Sequence, residues 1–128
     1  MGQPTVAIAL PDDVEHARAV MTRGRRVARY LGLDWVALRV VRASESDGDD
    51  RDLRDLVAAL GGRLVLAHGQ DIARAILDLS EREHTRVLVI GRSRRPPLLR
   101  RIRRGTTEQI VHAKRAFDVL IAAEGAER

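Results

Sequence analysis

The chain of 128 residues has no cysteine, which excludes a disulfide framework and any cysteine-based metal site. Aromatic residues are scarce: Tyr30, Trp35 and Phe117 are the only three. None stands among the arginines of the 92–104 stretch. That argues against a base-stacking platform there, and nucleic acid is not an expected partner. Lysine occurs once, at Lys114, and no G-x4-G-K-[ST] motif is present, which excludes a P-loop. No uninterrupted apolar run approaches the roughly 18 residues that cross a bilayer. The N-terminus lacks a charged segment followed by a long apolar one, so no secretory leader is expected and the expected location is cytoplasmic. His16, His68, His84 and His112 have no metal-ligand spacing. No G-x-S-x-G surrounds Ser93, so a hydrogen-bonding role suits it better than that of a nucleophile.

What is present describes a globular chain. Hydrophobic residues make up 45% and charged residues 32%, enough apolar content for a core. No linker or internal repeat interrupts it, so residues 1–128 read as a single domain. The net charge is +5, but Arg92, Arg94, Arg95, Arg100, Arg101, Arg103 and Arg104 alone carry +7. The remaining residues therefore sum to −2. The sequence is a near-neutral domain with one basic loop.

That loop sits in an informative place. Val87-Leu88-Val89-Ile90 is a short apolar run ending at Gly91, the pattern of a strand buried on both faces. Gly105 followed by Thr106, with Gln109 three residues on, reads as a helix start with a capping box. An arginine-rich loop by itself is most often a solvated face. Between a buried strand and a helix N-terminus it becomes an anion site, because free backbone N–H groups and the positive end of the helix dipole face it. A phosphate-bearing ligand is the expectation.

Hydrophobic spacing sets out the remaining elements. Thr5–Leu10 is a first strand closed by Pro11. Asp12 and Glu15 suit a capping box for the helix that follows, with an inner face of Ala17, Val20, Gly24, Val27 and Leu31. Gly24 is expected to permit close approach to the sheet and Gly32 to cap the helix. Trp35–Val41 is the second strand. Residues 43–50 form a polar loop carrying Glu45, Asp47, Asp49 and Asp50. Leu53, Leu56, Val57 and Leu60 mark a second helix stopped by Gly61 and Gly62. Leu64–Ala67 is the third strand, Ile72, Ile76 and Leu79 a third helix ending near His84, Thr107–Arg115 a fourth helix, and Val119–Ala122 a fifth strand. Alternating strands and helices predict an α/β fold, a parallel sheet covered on both faces. Ligands then belong at the C-terminal strand ends, where the strand order reverses.

At this point the chain resembles a known family. Gly91-x-Ser93-Arg94, a basic loop, then Gly105-Thr106 at a helix start is similar to the G-x2-G-x9-G-[ST] phosphate loop of the universal stress protein superfamily. Leu31–Val40, Gly69–Leu77 and Thr85–Arg95 look more narrowly like the universal-stress-type domain of KdpD, the potassium- and osmosensing histidine kinase. The resemblance implies a three-layer αβα domain with a five-stranded parallel sheet in the order 3-2-1-4-5. It also implies a ligand cleft between Leu10, Pro11 and Asp12 on one side and Gly91, Arg92, Ser93, Arg94, Arg95, Gly105, Thr106 and Thr107 on the other. ATP, AMP or cyclic di-AMP is the implied ligand, and no cofactor is required. Arg94 stands where the family has its second glycine, and the loop to Gly105 is one residue longer. Arginine side chains would therefore take over phosphate capture from backbone.

No catalytic set is apparent, so the chain itself is not expected to be an enzyme. The resemblance implies a regulatory nucleotide-sensing domain in a two-component, potassium-sensing kinase whose catalytic residues and other kinase domains lie elsewhere. The alternative is a free-standing stress-response protein that acts through dimerisation, with or without ATP. A homodimer through the Val119–Ala122 edge strand is expected, because an apolar edge without charge invites pairing. Contact of the arginine loop with anionic lipid is a further option.

Overall fold

In a computed structural model the chain adopts the expected architecture, and the structure describes residues 3–11, 14–41, 51–91, 109–110, 113 and 115–122. The elements run β1 (Thr5–Ala9), α1 (Val14–Leu31), β2 (Asp34–Val41), α2 (Arg51–Ala59), β3 (Arg63–His68), α3 (Ile72–Arg82), β4 (Thr85–Gly91) and β5 (Asp118–Ala122). All strand pairs are parallel, in the order β3-β2-β1-β4-β5. β1 is central and every one of its residues is buried. No helix among the described residues is long and apolar enough to cross a membrane.

The order explains the layers. The chain moves outward from β1 to β2 to β3, then returns across the sheet to β4 on the other side of β1. Right-handed crossovers in opposite directions place their helices on opposite faces. Accordingly α1 and α2 pack on one face with Val6, Ile8, Ala37 and Val89, and α3 packs on the other with Ala7, Ala9, Val36, Leu38, Leu88 and Ile90. The period-two alternation of side chains sorts each apolar strand between the two cores. Burying one such Val, Leu or Ile contributes about 1.5–3 kcal/mol.

Helix ends follow the local chemistry. α1 ends with Gly32 at φ 70°, where Leu33 N–H donates to Ala28 O at 2.9 Å and Gly32 N–H to Arg29 O at 3.2 Å. α2 ends the same way: Gly61 has φ 92°, Gly62 N–H donates to Val57 O at 2.9 Å and Gly61 N–H to Ala58 O at 3.0 Å. Both are Schellman closures that only a residue tolerant of left-handed backbone fits well. His84, at φ 57°, takes that conformation after α3. Its carbonyl accepts from Thr5 N–H at 3.1 Å, and Glu83 O accepts from Thr5 Oγ1 at 2.9 Å, which ties this turn to the start of β1. Arg63 pairs with Glu83 at 2.8 Å on the surface, a contact of about 0–1 kcal/mol.

Two expectations need correction. Leu31 does not join the inner face of α1; it is 42% exposed, and the buried stripe is Ala17, Val20, Met21, Gly24 and Ala28. Leu31 is the last residue of α1, where Gly32 and Leu33 turn the chain into β2. The fourth helix does not extend to Arg115: Gln109 and Ile110 are helical, while Ala113 and Arg115 are not. Ala113 N–H turns back to Ile110 O at 3.2 Å. Arg115 instead bridges to α3, 2.9 Å from Glu81 and 3.6 Å from Asp78.

Gly24 makes the predicted close approach. A Cβ there would sit 2.5 Å from Ile8 Cγ1, and Ile8 is fully buried in the central strand with nowhere to move. Alanine gains about 1 kcal/mol of helix propensity over glycine, while overpacking costs about 1–3 kcal/mol. Gly24→Ala should therefore destabilise the protein in the wild-type background and stabilise it when Ile8 is also Ala, as read from urea unfolding of the four proteins of the cycle. A stabilising Gly24→Ala in the wild-type background would contradict the contact.

Candidate functional site

β1 and β4 lie side by side, with Ile8 opposite Val89. Both point the same way, so Leu10 and Pro11 emerge next to Gly91 at the C-terminal edge of the sheet. This is the place where the strand order reverses, since β1 leads to α1 and β2 on one side while β4 lies on the other. The N-terminus of α1 stands at this same edge and carries the positive end of its dipole.

The residues expected in the site divide into two groups. Leu10, Pro11 and Gly91 are described, and the structure brings them together. Asp12, Arg92, Ser93, Arg94, Arg95, Gly105, Thr106 and Thr107 lie outside the described residues, as do the other loop arginines and the acidic residues Glu45, Asp47, Asp49 and Asp50. Leu10 is buried in the α1/α2 core, and its N–H donates to Leu38 O at 2.9 Å. It therefore serves the core and has no N–H to offer a ligand. Pro11 is half-buried and has no N–H by its nature. Gly91 is half-buried and aligned with Ala122 of β5.

Gly91 also has a packing role that its sequence context did not reveal. A Cβ there would sit 2.8 Å from Val20 Cγ2 on α1. The glycine lets α1 cross the end of β4 closely, whatever else it does for a phosphate. Arg39 was missed as well. It lies on the α1/α2 face of β2, two residues before the strand ends, with its Nε buried. An arginine inside an otherwise apolar strand was the available signal. Among the described residues no group of three or more His, Asp or Glu could hold a metal ion.

Two segments behind the narrower resemblance have fold-level causes. Trp35 is buried and packs on Gly62, where a Cβ would come 2.5 Å from its ring. Asp71 caps α3 by accepting from Arg74 N–H at 3.1 Å. Neither needs a ligand to account for it.

The packing role of Gly91 is separable from any binding role. Gly91→Ala should destabilise the protein by about 1–3 kcal/mol, and the penalty should shrink toward zero in a Val20→Ala background. Chemical unfolding of the four proteins measures this; a penalty independent of Val20 would refute the packing account.

No family model and no curated sequence matches the chain. Solved structures do. A universal stress protein from Archaeoglobus fulgidus DSM 4304 superposes with TM-score 0.74 at 17% identity, over 97% of this chain and 45% of its own. The chain thus spans less than half of that protein. A universal stress protein in complex with cAMP matches with TM-score 0.70 at 16% identity, covering 93% of this chain and 96% of its own. The universal stress protein from Archaeoglobus fulgidus in complex with dAMP matches with TM-score 0.66 at 18% identity, covering 94% and 98%. At these identities the likeness is one of fold: three layers around a five-stranded parallel sheet in the order 3-2-1-4-5, the universal stress protein fold.

Proposed function

We infer that the chain belongs functionally with the universal stress proteins and acts as a non-catalytic nucleotide-sensing domain. The ligand is a phosphate-bearing nucleotide, ATP, AMP or cyclic di-AMP, held at the loop that follows β4. The single observation that carries this reading is the adjacency of β1 and β4, which brings Leu10, Pro11 and Gly91 to one edge of the sheet, where the seven-arginine stretch begins in the sequence. That similar folds were solved with cAMP and with dAMP supports an adenine nucleotide. In this reading Arg92, Arg94 and Arg95 pair with phosphate, Ser93, Thr106 and Thr107 hydrogen-bond it, and Gly105 frees the helix N-terminus. Its parent would be a KdpD-like sensor kinase. Titration calorimetry with ATP, AMP and cyclic di-AMP tests it. Replacing Arg92 and Arg94 together by Ala should cost about 2–4 kcal/mol, roughly 30- to 1,000-fold in affinity. Equal affinity in the double variant rejects the site, and no binding of any of the three by the wild type rejects the nucleotide.

A second reading is favoured by β5. It is one of the two outer strands of the sheet, and Leu120 and Ile121 are 43% and 41% exposed on it. Pairing of two such edges would cover both residues and satisfy the free backbone groups of the strand. In this reading the protein is a free-standing homodimer. Sedimentation should show a dimer for the wild type and a monomer for Val119→Pro; a wild-type monomer at high micromolar concentration would reject it.

A further inference from the structure

We propose that the outer face of α1 is a binding surface for single-stranded nucleic acid, with Arg18, Arg26 and Arg29 on its phosphates and Tyr30 stacked on a base. α1 carries five arginines, Arg18, Arg23, Arg25, Arg26 and Arg29, against one acid, Glu15. Its inner stripe is committed to the core, so the arginines fall on the remaining surface. Arg18, Arg26 and Arg29 are exposed, and Arg23 and Arg25 flank them half-buried. None of the five makes an ion pair among the described residues. The opposite layer is different in kind: there Asp78 and Glu81 of α3 are matched by Arg74 and Arg115.

Tyr30 decides among anionic partners. It is 89% exposed, one helical turn beyond Arg26 and next to Arg29. Helix geometry places Arg18, Arg26, Arg29 and Tyr30 along one side over roughly 18 Å. Guanidinium groups bind both carboxylate and phosphate. An acidic protein surface offers carboxylates without a regular π-face, and a lipid surface offers phosphates without bases. A single strand alternates phosphates with bases, which is the chemistry that uses an arginine row and an exposed aromatic together. The aromatic that the arginine loop lacks is thus supplied on α1. This surface is distinct from the cleft at the end of β4.

The test is fluorescence anisotropy of a labelled oligo(dT) strand of about 15 nucleotides with the full chain over a salt series. Three phosphate contacts predict a slope of log affinity against log salt of roughly −2. Arg18→Glu, Arg26→Glu and Arg29→Glu combined should weaken binding at least about tenfold, and Tyr30→Ala alone about 5- to 100-fold. Tyr30→Trp should keep or raise affinity. All four positions are exposed, so the urea midpoint should stay unchanged in these variants. The Arg92→Ala, Arg94→Ala variant should retain the dependence on Tyr30. Unchanged oligonucleotide binding in the triple variant or in Tyr30→Ala overturns the proposal. So does binding abolished by the loop variant alone, or phosphatidylglycerol vesicles bound through the same arginines with no effect of Tyr30 on the oligonucleotide.

Discussion

The structure depends on β1 being enclosed on every side. It pairs with β2 and β4, and both of its faces are covered. A strand in that position can carry no charge and no unpaired backbone, and Thr5-Val6-Ala7-Ile8-Ala9 meets both demands. Its one unusual feature is the bulk of Ile8 beneath α1, and Gly24 is the answer on the helix. Because β1 separates the outward run of strands from the return run, the meeting of Leu10, Pro11 and Gly91 at its end follows from the same constraint. The site is a consequence of topology before it is a matter of side chains.

Much of this was legible in the sequence because the demands are local. Apolar runs bounded by Gly or Pro mark strands, and Gly32 and Gly61 mark helix ends through a backbone conformation that few residues accept. Strand order is a different matter. Periodicity does not say whether β4 lies beside β1 or beside β3, since both arrangements bury the same residues; the resemblance of the phosphate loop supplied that step. Leu31 was misplaced because helical spacing assigns a side chain to a face without saying where the helix ends, and Leu31 is its last residue.

The site was legible only in outline. Gly91 was read from its place before an arginine loop, and its contact with Val20 was invisible because α1 and β4 are far apart in sequence and meet only through the fold. Leu10 was expected to be a ligand neighbour through the resemblance to the universal stress proteins. Its side chain is taken by the core and its N–H by Leu38. A residue at the end of a buried strand serves the sheet first, and only what the sheet leaves unused faces a ligand. Arg39 shows the reverse case, a charged side chain inside a strand whose neighbours are nearly all buried and apolar.

Charge is distributed by the same logic. The sum over residues outside the arginine loop is slightly negative, and that sum conceals α1, where five arginines accompany one acid. Acids concentrate elsewhere, and on α3 they are satisfied through Arg74 and through Arg115 in the segment before β5. The Arg115 pairs form because the return of the chain to β5 brings that segment against α3, whereas Arg74 pairs with Asp78 one turn along α3 itself. No described segment returns over α1. Tyr30 is exposed because it lies on the side of α1 away from the buried stripe of Ala17, Val20, Met21, Gly24 and Ala28. An aromatic of this size left in water beside a row of cations forgoes burial worth about 1.5–3 kcal/mol for a comparable side chain. Among the described helices α1 is thus the most strongly cationic, with five arginines against one acid.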